Sequence, residues 1–158
     1  MPLAIFIIVV MGTFALVISR NTIQSSTSAV QEAISTQTFY AAESGAQLGM
    51  QKLFFPDASS RQLVDSSCAG LLTTPLVKTY SKTGVDVPGL NSCTITVTCS
   101  CTFQDESSCS PITASNYTST AATNRLTSFY KISSTATCGA GNLRSVRTIE
   151  AGSFLTQE

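Results

Sequence analysis

Leu3-Ala-Ile-Phe-Ile-Ile-Val-Val-Met-Gly-Thr-Phe-Ala-Leu-Val-Ile18 runs without a charge, and the first charged side chain in the chain is Arg20. As a helix these sixteen residues rise roughly 24 Å, a little short of a ~30 Å hydrocarbon core, and Met1, Pro2 and Ser19 extend the reach. Pro2 suits the start of a helix, where its missing N–H has no intrahelical partner to lose. A cleaved secretory signal would place basic residues ahead of the run and a small-residue cleavage site behind it. No Lys or Arg precedes Leu3, and the run ends Ile18-Ser19-Arg20, so it reads as an apolar helix kept in the mature protein.

The helical period continues beyond the apolar run. Ile23, Val30, Ile34, Ala41, Gly45 and Leu48 recur at spacings of seven, four, seven, four and three, with polar residues such as Gln24, Ser28, Glu32 and Gln51 between them. Pro56 disfavours helix in the residue before it and closes the pattern at Phe55. A helix over residues 3–55 is roughly 80 Å long. A domain of this size cannot bury such a rod along its whole length, so the N-terminal half must project into lipid or among copies of itself. The chain therefore divides into an apolar half-helix (1–20), an amphipathic half-helix (21–55) and a globular part (56–158).

The clearest strand is Cys93-Thr-Ile-Thr-Val-Thr-Cys-Ser-Cys-Thr-Phe103, whose odd positions are Cys, Ile, Val, Cys, Cys and Phe and whose even positions are all hydroxylated. That alternation predicts one buried and one hydroxyl-bearing face. A second strand is predicted over 129–138, with Tyr130, Ile132, Ala136 and Cys138 on one parity. Gly139-Ala-Gly141-Asn142 supplies a turn, and residues 145–155 return as a third strand. Residues 57–90 read as irregular, with Leu63, Val64, Leu71 and Leu72 in a short helix or packed loop. The fold class is α+β: a long N-terminal helix on a small antiparallel sheet.

The 158 residues carry 9 basic and 9 acidic side chains and no net charge, which excludes the basic footprint of a nucleic-acid binder. Six cysteines, all from Cys68 onward, and the absence of histidine point to disulfides formed in an oxidising compartment. The spacing C-x5-C-x-C-x7-C lacks the C-x2-C pairs and histidines usual for zinc. Cys93, Cys99 and Cys101 share one face of one strand, so each is expected to pair with Cys68, Cys109 or Cys138 rather than with another of its own strand. Six connectivities satisfy this, and Cys138 is expected opposite Cys99 or Cys101. No metal and no cofactor is implied.

Two strings resemble penicillin-binding motifs, Ser128-x-x-Lys131 and Lys82-Thr83-Gly84. Their order is reversed and Ser128 falls on a predicted strand, so they are read as chance matches. Without histidine, and with the cysteines oxidised, the familiar nucleophile arrangements are lacking, and the chain is not expected to be an enzyme. Asn116-Tyr-Thr118 matches a glycan acceptor and is read as a polar loop tripeptide.

An apolar helix from the first residues, an amphipathic continuation and an antiparallel sheet resemble a mature type IV pilin or a secretion pseudopilin. The segment Phe39-Tyr-Ala-Ala-Glu-Ser-Gly-Ala-Gln-Leu-Gly-Met50 is similar to the A-A-E-[SA]-G helix of PilX-type minor pilins and of the MshP family of mannose-sensitive haemagglutinin pilus biogenesis proteins. Cys93-Thr-Ile-Thr-Val-Thr-Cys99 and Thr137-Cys-Gly139 are similar to the same family. The resemblance implies the type IV pilin fold and a precursor cut by an inner-membrane peptidase, with Met1 as the mature N-terminus or a trimmed remnant. It further implies assembly with other pilin subunits through the helix, residence in the bacterial inner membrane, and then an extracellular fibre. Most pilins carry Glu at mature position five, where this chain has Ile5. Within the family that lack is associated with minor subunits, and it implies a role in initiation or at the tip. Met1, Ile5, Gly12 and Glu43 are the candidate helix-assembly residues. For Glu43 the bland alternative is a solvated side chain, and for Gly12 and Gly45 it is a tolerated glycine. The competing function is a membrane-anchored adhesin acting singly, with a surface ligand that the sequence does not identify.

Overall fold

A computed structural model describes residues 2–55, 60–80, 89–118 and 123–156, with the side chains of Pro2 and Ile23 left aside. Met1 and the Lys82-Thr83-Gly84 string lie outside the described residues. Helix α1 spans Pro2–Phe54, α2 spans Arg61–Thr73, and the strands are β1 (Leu76–Tyr80), β2 (Cys93–Phe103), β3 (Thr127–Ala140) and β4 (Leu143–Thr156). The strands form one antiparallel sheet in the order β1-β2-β3-β4. The α+β class and the long helix on a disulfide-bearing antiparallel sheet are as the sequence predicts.

Both helices lie on one face of that sheet. Ile95, Val97 and Cys99 are alternate residues of β2 and share a face. Gly45 of α1 meets Ile95, Gly49 meets Val97, and Cys68 of α2 is bonded to Cys99. The opposite face carries Thr94, Thr96, Thr98, Ser133, Thr135 and Thr148, all at least partly exposed.

Within 57–90, read as irregular, the described residues form two regular elements. Ser60 caps α2 by accepting from the Leu63 N–H at 3.3 Å, and Val64, Cys68 and Leu71 turn one side of the helix into the core. Pro75 then prevents its continuation. β1 was not expected: five residues with one buried side chain, Tyr80, give little alternation to read.

The seam between α1 and the sheet also departs from the expected stripe. Val30 is exposed and Leu48 only half-buried, whereas Thr38, Ala41, Ala42, Gly45, Ala46, Gly49 and Leu53 are buried. The packed stripe is made of small residues because the helix comes close to the strands. A Cβ on Gly49 would lie 2.8 Å from Val97 Cγ1 and 3.0 Å from Ile132 Cγ2, and one on Gly45 would collide with Ser134 Oγ and Ile95 Cγ2. Thr38 satisfies its own hydroxyl by donating to the Ile34 carbonyl at 2.6 Å. Ser134 Oγ is buried beneath Gly45 and has no hydrogen-bond partner among the described residues. Farther along, Gln37 Nε2 donates to the carbonyls of Gly89 (2.5 Å) and Asn91 (3.2 Å), tying the helix to the turn before β2.

The disulfides are Cys68–Cys99, Cys93–Cys138 and Cys101–Cys109, so each does cross from β2 to another segment. The expected partner of Cys138 was wrong. The two-residue β3–β4 turn at Gly141-Asn142, with Gly141 at φ +57°, sets the register of β4 on β3, but the β2–β3 register puts Cys138 opposite Cys93. In the chain-entropy account the bridge closing 45 residues stabilises by about 4 kcal/mol and the one closing 8 by about 2.5 kcal/mol.

Gly45→Ala is expected to lower stability by about 1–3 kcal/mol through overpacking against Ser134 and Ile95, while Ser134→Ala, which removes an unpaired hydroxyl, leaves stability unchanged or raises it. Urea denaturation of the two variants beside Gly12→Ala, where the added methyl meets open space, checks the contrast.

Candidate functional site: the projecting helix and a buried carboxylate clamp

The first feature of functional interest is what α1 leaves uncovered. Every described side chain from Leu3 to Ala33 is exposed, including Ile5, Phe6, Ile8, Met11 and Phe14, each at least 65% accessible. Contact with the domain begins at Ile34, so about 48 Å of helix projects, from ~1.5 Å per residue over residues 2–33. α1 is long and apolar enough to cross a membrane. Ile5 stands in the exposed apolar run, and Gly12 has open space where a Cβ would be. Glu43 is instead on the anchored half, half-buried, with no hydrogen bond or ion pair among the described residues. The structure therefore places the candidate assembly residues apart: Ile5 and Gly12 on the free rod, Glu43 beside the sheet.

The second feature is a polar cluster that sequence reasoning missed. Asp65 of α2 is fully buried. Its Oδ1 accepts from the Tyr130 hydroxyl at 2.6 Å, and its Oδ2 accepts from Tyr117 at 2.7 Å and Ser128 at 3.0 Å. Arg61, one helical turn earlier, donates to Ser128 Oγ at 2.9 Å and to the Asn116 carbonyl at 2.5 Å. Its guanidinium also lies over the Tyr117 ring, 4.8 Å from the centroid. The i, i+4 spacing puts Arg61 and Asp65 on one side of α2, facing β3 and the loop after β2. Tyr130 extends the connection to α1, since its ring meets Phe54 edge to face at 5.8 Å. The only sequence signal for this group was a carboxylate and an arginine at helical spacing among apolar positions.

Asp65, Cys101 and Cys109 bring a carboxylate oxygen and two sulfurs within 4.8 Å of one another. The sulfurs are bonded to each other and offer no thiolate to a metal. The Cys101 sulfur, 3.4 Å from Asp65 Oδ1, likewise has no hydrogen to donate. The cluster fastens α2, β3 and the loop after β2 around one carboxylate.

That loop has further ties. Asp105 accepts from the Ser107 hydroxyl and amide and from Asn124, and pairs with Arg125 at 3.5 Å. The Ser107 hydroxyl, followed by the Ser107 amide and then Arg125, holds the Asp105 carboxyl below the usual range against the opposing effect of desolvation. Asn116, the acceptor position of the Asn116-Tyr-Thr118 tripeptide, is buried, and its Oδ1 accepts from Arg125 Nη1 at 3.0 Å. Ser128 is in the clamp, whereas Lys131 pairs with Glu150 on the solvent face at 3.3 Å, so the two residues of the Ser128-x-x-Lys131 string are turned apart.

No protein-family model, no curated protein and no solved structure matches the chain.

Burial, then the hydrogen bond to Asp65, raises the phenol pKa of both Tyr117 and Tyr130 above the ordinary value of 10.0. Above about pH 10 the unfolded chain loses these protons first, so it binds fewer protons than the native state and stability falls with rising pH. Below that pH the contribution is fully present. Tyr130→Phe is expected to cost about 1–3 kcal/mol at neutral pH by removing a donor from Asp65, and to make the alkaline loss shallower by one group. Urea unfolding from pH 7 to 11, wild type against variant, reads both effects.

Proposed function

We propose that this chain is a structural subunit of a type IV pilus-like fibre, a minor pilin acting in pilus biogenesis at initiation or at the tip. The observation that carries the reading is the projecting half of α1, apolar on every side over Leu3–Ile18 and touching nothing in its own domain. Such a surface is stable in lipid or among like helices and unstable in water. A single segment can use both environments in turn, the inner membrane before assembly and a fibre core afterwards. The rigid continuation of α1 into the sheet-packed half would then carry the disulfide-stapled domain on the fibre exterior. Oxidised cysteines suit that extracytoplasmic position.

Ile5 supports the narrower assignment. A carboxylate among packed apolar helices is costly unless it is paired, so a rod with isoleucine there avoids the cost and makes no charge pair with a neighbouring N-terminus. A subunit of this kind fits a position with an unusual neighbour on one side, as at a fibre end.

Ile8→Lys puts a charge in the middle of the run, and the expected result is loss of surface fibres, scored by electron microscopy alongside membrane fractionation. Fibres persisting in normal number while the protein leaves the membrane fraction would favour a singly acting anchored adhesin. Immunogold labelling of wild-type fibres is expected to mark ends; even decoration along the shaft would remove the tip assignment.

A further inference from the structure

The two edges of the sheet are unlike. β1 is five residues long, whereas β4 has fourteen, paired to β3 in unbroken register from Thr127↔Thr156 to Ala140↔Leu143, with no proline and no bulge. On an antiparallel edge, alternate residues direct N–H and C=O away from the single neighbour. No described backbone outside β3 hydrogen-bonds to β4. Long edges are ordinarily shortened, bulged or covered, because unpaired peptide groups are a template for another strand.

β4 also has a wall beside it. A groove of about 460 Å³ lies between Ser35, Thr36, Phe39 and Tyr40 of α1 and Arg147, Thr148 and Ile149 of β4. Phe39 and Tyr40 are exposed and meet edge to face at 5.8 Å. Among the described residues Arg147 is the one charged side chain lining the groove, and its Nη2 reaches across to Ser35 Oγ at 2.8 Å. A row of peptide donors and acceptors, an aromatic surface and a solvent-exposed guanidinium bonded, among the described residues, only to a neutral hydroxyl thus meet in one cleft.

We propose that this groove receives an extended polypeptide segment, which adds to β4 as a fifth strand, sets an apolar side chain against Phe39 and Tyr40, and places an Asp or Glu on Arg147. The peptide groups of β4 select an extended chain, since main-chain pairing along an edge is satisfied by another backbone. The guanidinium selects the acid, because a carboxylate gives it a charge-assisted bond in place of the Ser35 hydroxyl. The groove belongs to the anchored part of α1 and is independent of what surrounds Leu3–Ile18, so the proposal does not rest on the fibre reading.

The test uses the full chain in detergent micelles and two labelled peptides of about ten residues that alternate Thr and Val, one with a central Asp and one with a central Lys. Fluorescence anisotropy is expected to show saturable binding of the Asp peptide, and amide hydrogen exchange to show protection in residues 143–156 with none added in 76–80. Arg147→Glu is expected to weaken the Asp peptide by about tenfold and to strengthen the Lys peptide by a similar factor. Arg147 lies on the surface, so an unchanged thermal midpoint verifies that the variant folds. Absence of saturable binding, protection confined to the apolar helix, or an equal effect of Arg147→Glu on both peptides would overturn the proposal. So would concentration-dependent protection of β4 without peptide, which would assign the edge to a second copy of the chain.

Discussion

The distance between α1 and the sheet is set where Gly45 and Gly49 lie over Ile95, Val97, Ile132 and Ser134, and much else in the molecule follows from that approach. Branched side chains on β2 and β3 fill the space that helix side chains would otherwise take, so the helix contributes backbone and small residues to the core. A helix seated this closely cannot roll or shift along the strands without collision, and its direction is fixed over about twenty residues. Among the described residues the projecting half has no tertiary contact to hold it. Its course is simply the continuation of the axis set at the glycines, which is how a contact in the core governs the placement of a segment tens of ångströms away.

The rest of the domain compensates for a modest apolar core. α2 and the loop after β2 bury few large side chains, and they are held instead by covalent and polar ties that converge on one region: Cys68–Cys99, Cys101–Cys109 and the carboxylate of Asp65. A buried carboxylate is costly to desolvate, and Asp65 is tolerable because three hydroxyls donate to it while Arg61 braces one of them. Such a cluster adds specificity in a region of low hydrophobic content, since each donor comes from a different segment and only one arrangement satisfies all of them. Phe54, edge to face with Tyr130, links the end of α1 to this clamp, so the two halves of the core are not independent.

Several of these features were legible in the sequence, and the reason differs from case to case. β2 was readable because Cys93–Phe103 alternates strictly with β-branched and hydroxylated residues, and its observed limits match the pattern. The crossing rule for the disulfides followed from parity alone, because residues on one face of one strand point alongside each other. Register is a different quantity: parity says which face Cys138 occupies, but pairing across strands decides that it meets Cys93. The α1 seam was misread because hydrophobic periodicity gives weight to Val30 and Leu48 and little to Gly49, Ala46 or Thr38, which are buried by being small. α2 had its signals, the Ser60 cap and Val64-Cys68-Leu71 at helical spacing, hidden among serines and glycines. Asp65 was missed because its partners lie 52 to 65 residues away, and the local spacing of Arg61 and Asp65 says nothing of what they meet by tertiary contact.

The free part of α1 has a property that composition alone understates. Thr13, the polar side chain inside the apolar run, donates to the Val10 carbonyl at 2.9 Å, and farther along Thr22 donates to Ile18 O and Thr27 to Gln24 O. These hydroxyls are satisfied by the helix that carries them and ask nothing of the surroundings. With Arg20 as the first charge, no group between Leu3 and Ile18 must be solvated or paired from outside. A rod so constituted incurs no polar desolvation on leaving lipid for a dry helical contact, or on returning. What distinguishes one apolar environment from another is then packing alone, and at Gly12, where a Cβ would meet open space, the rod carries no side chain to hold a packed surface away.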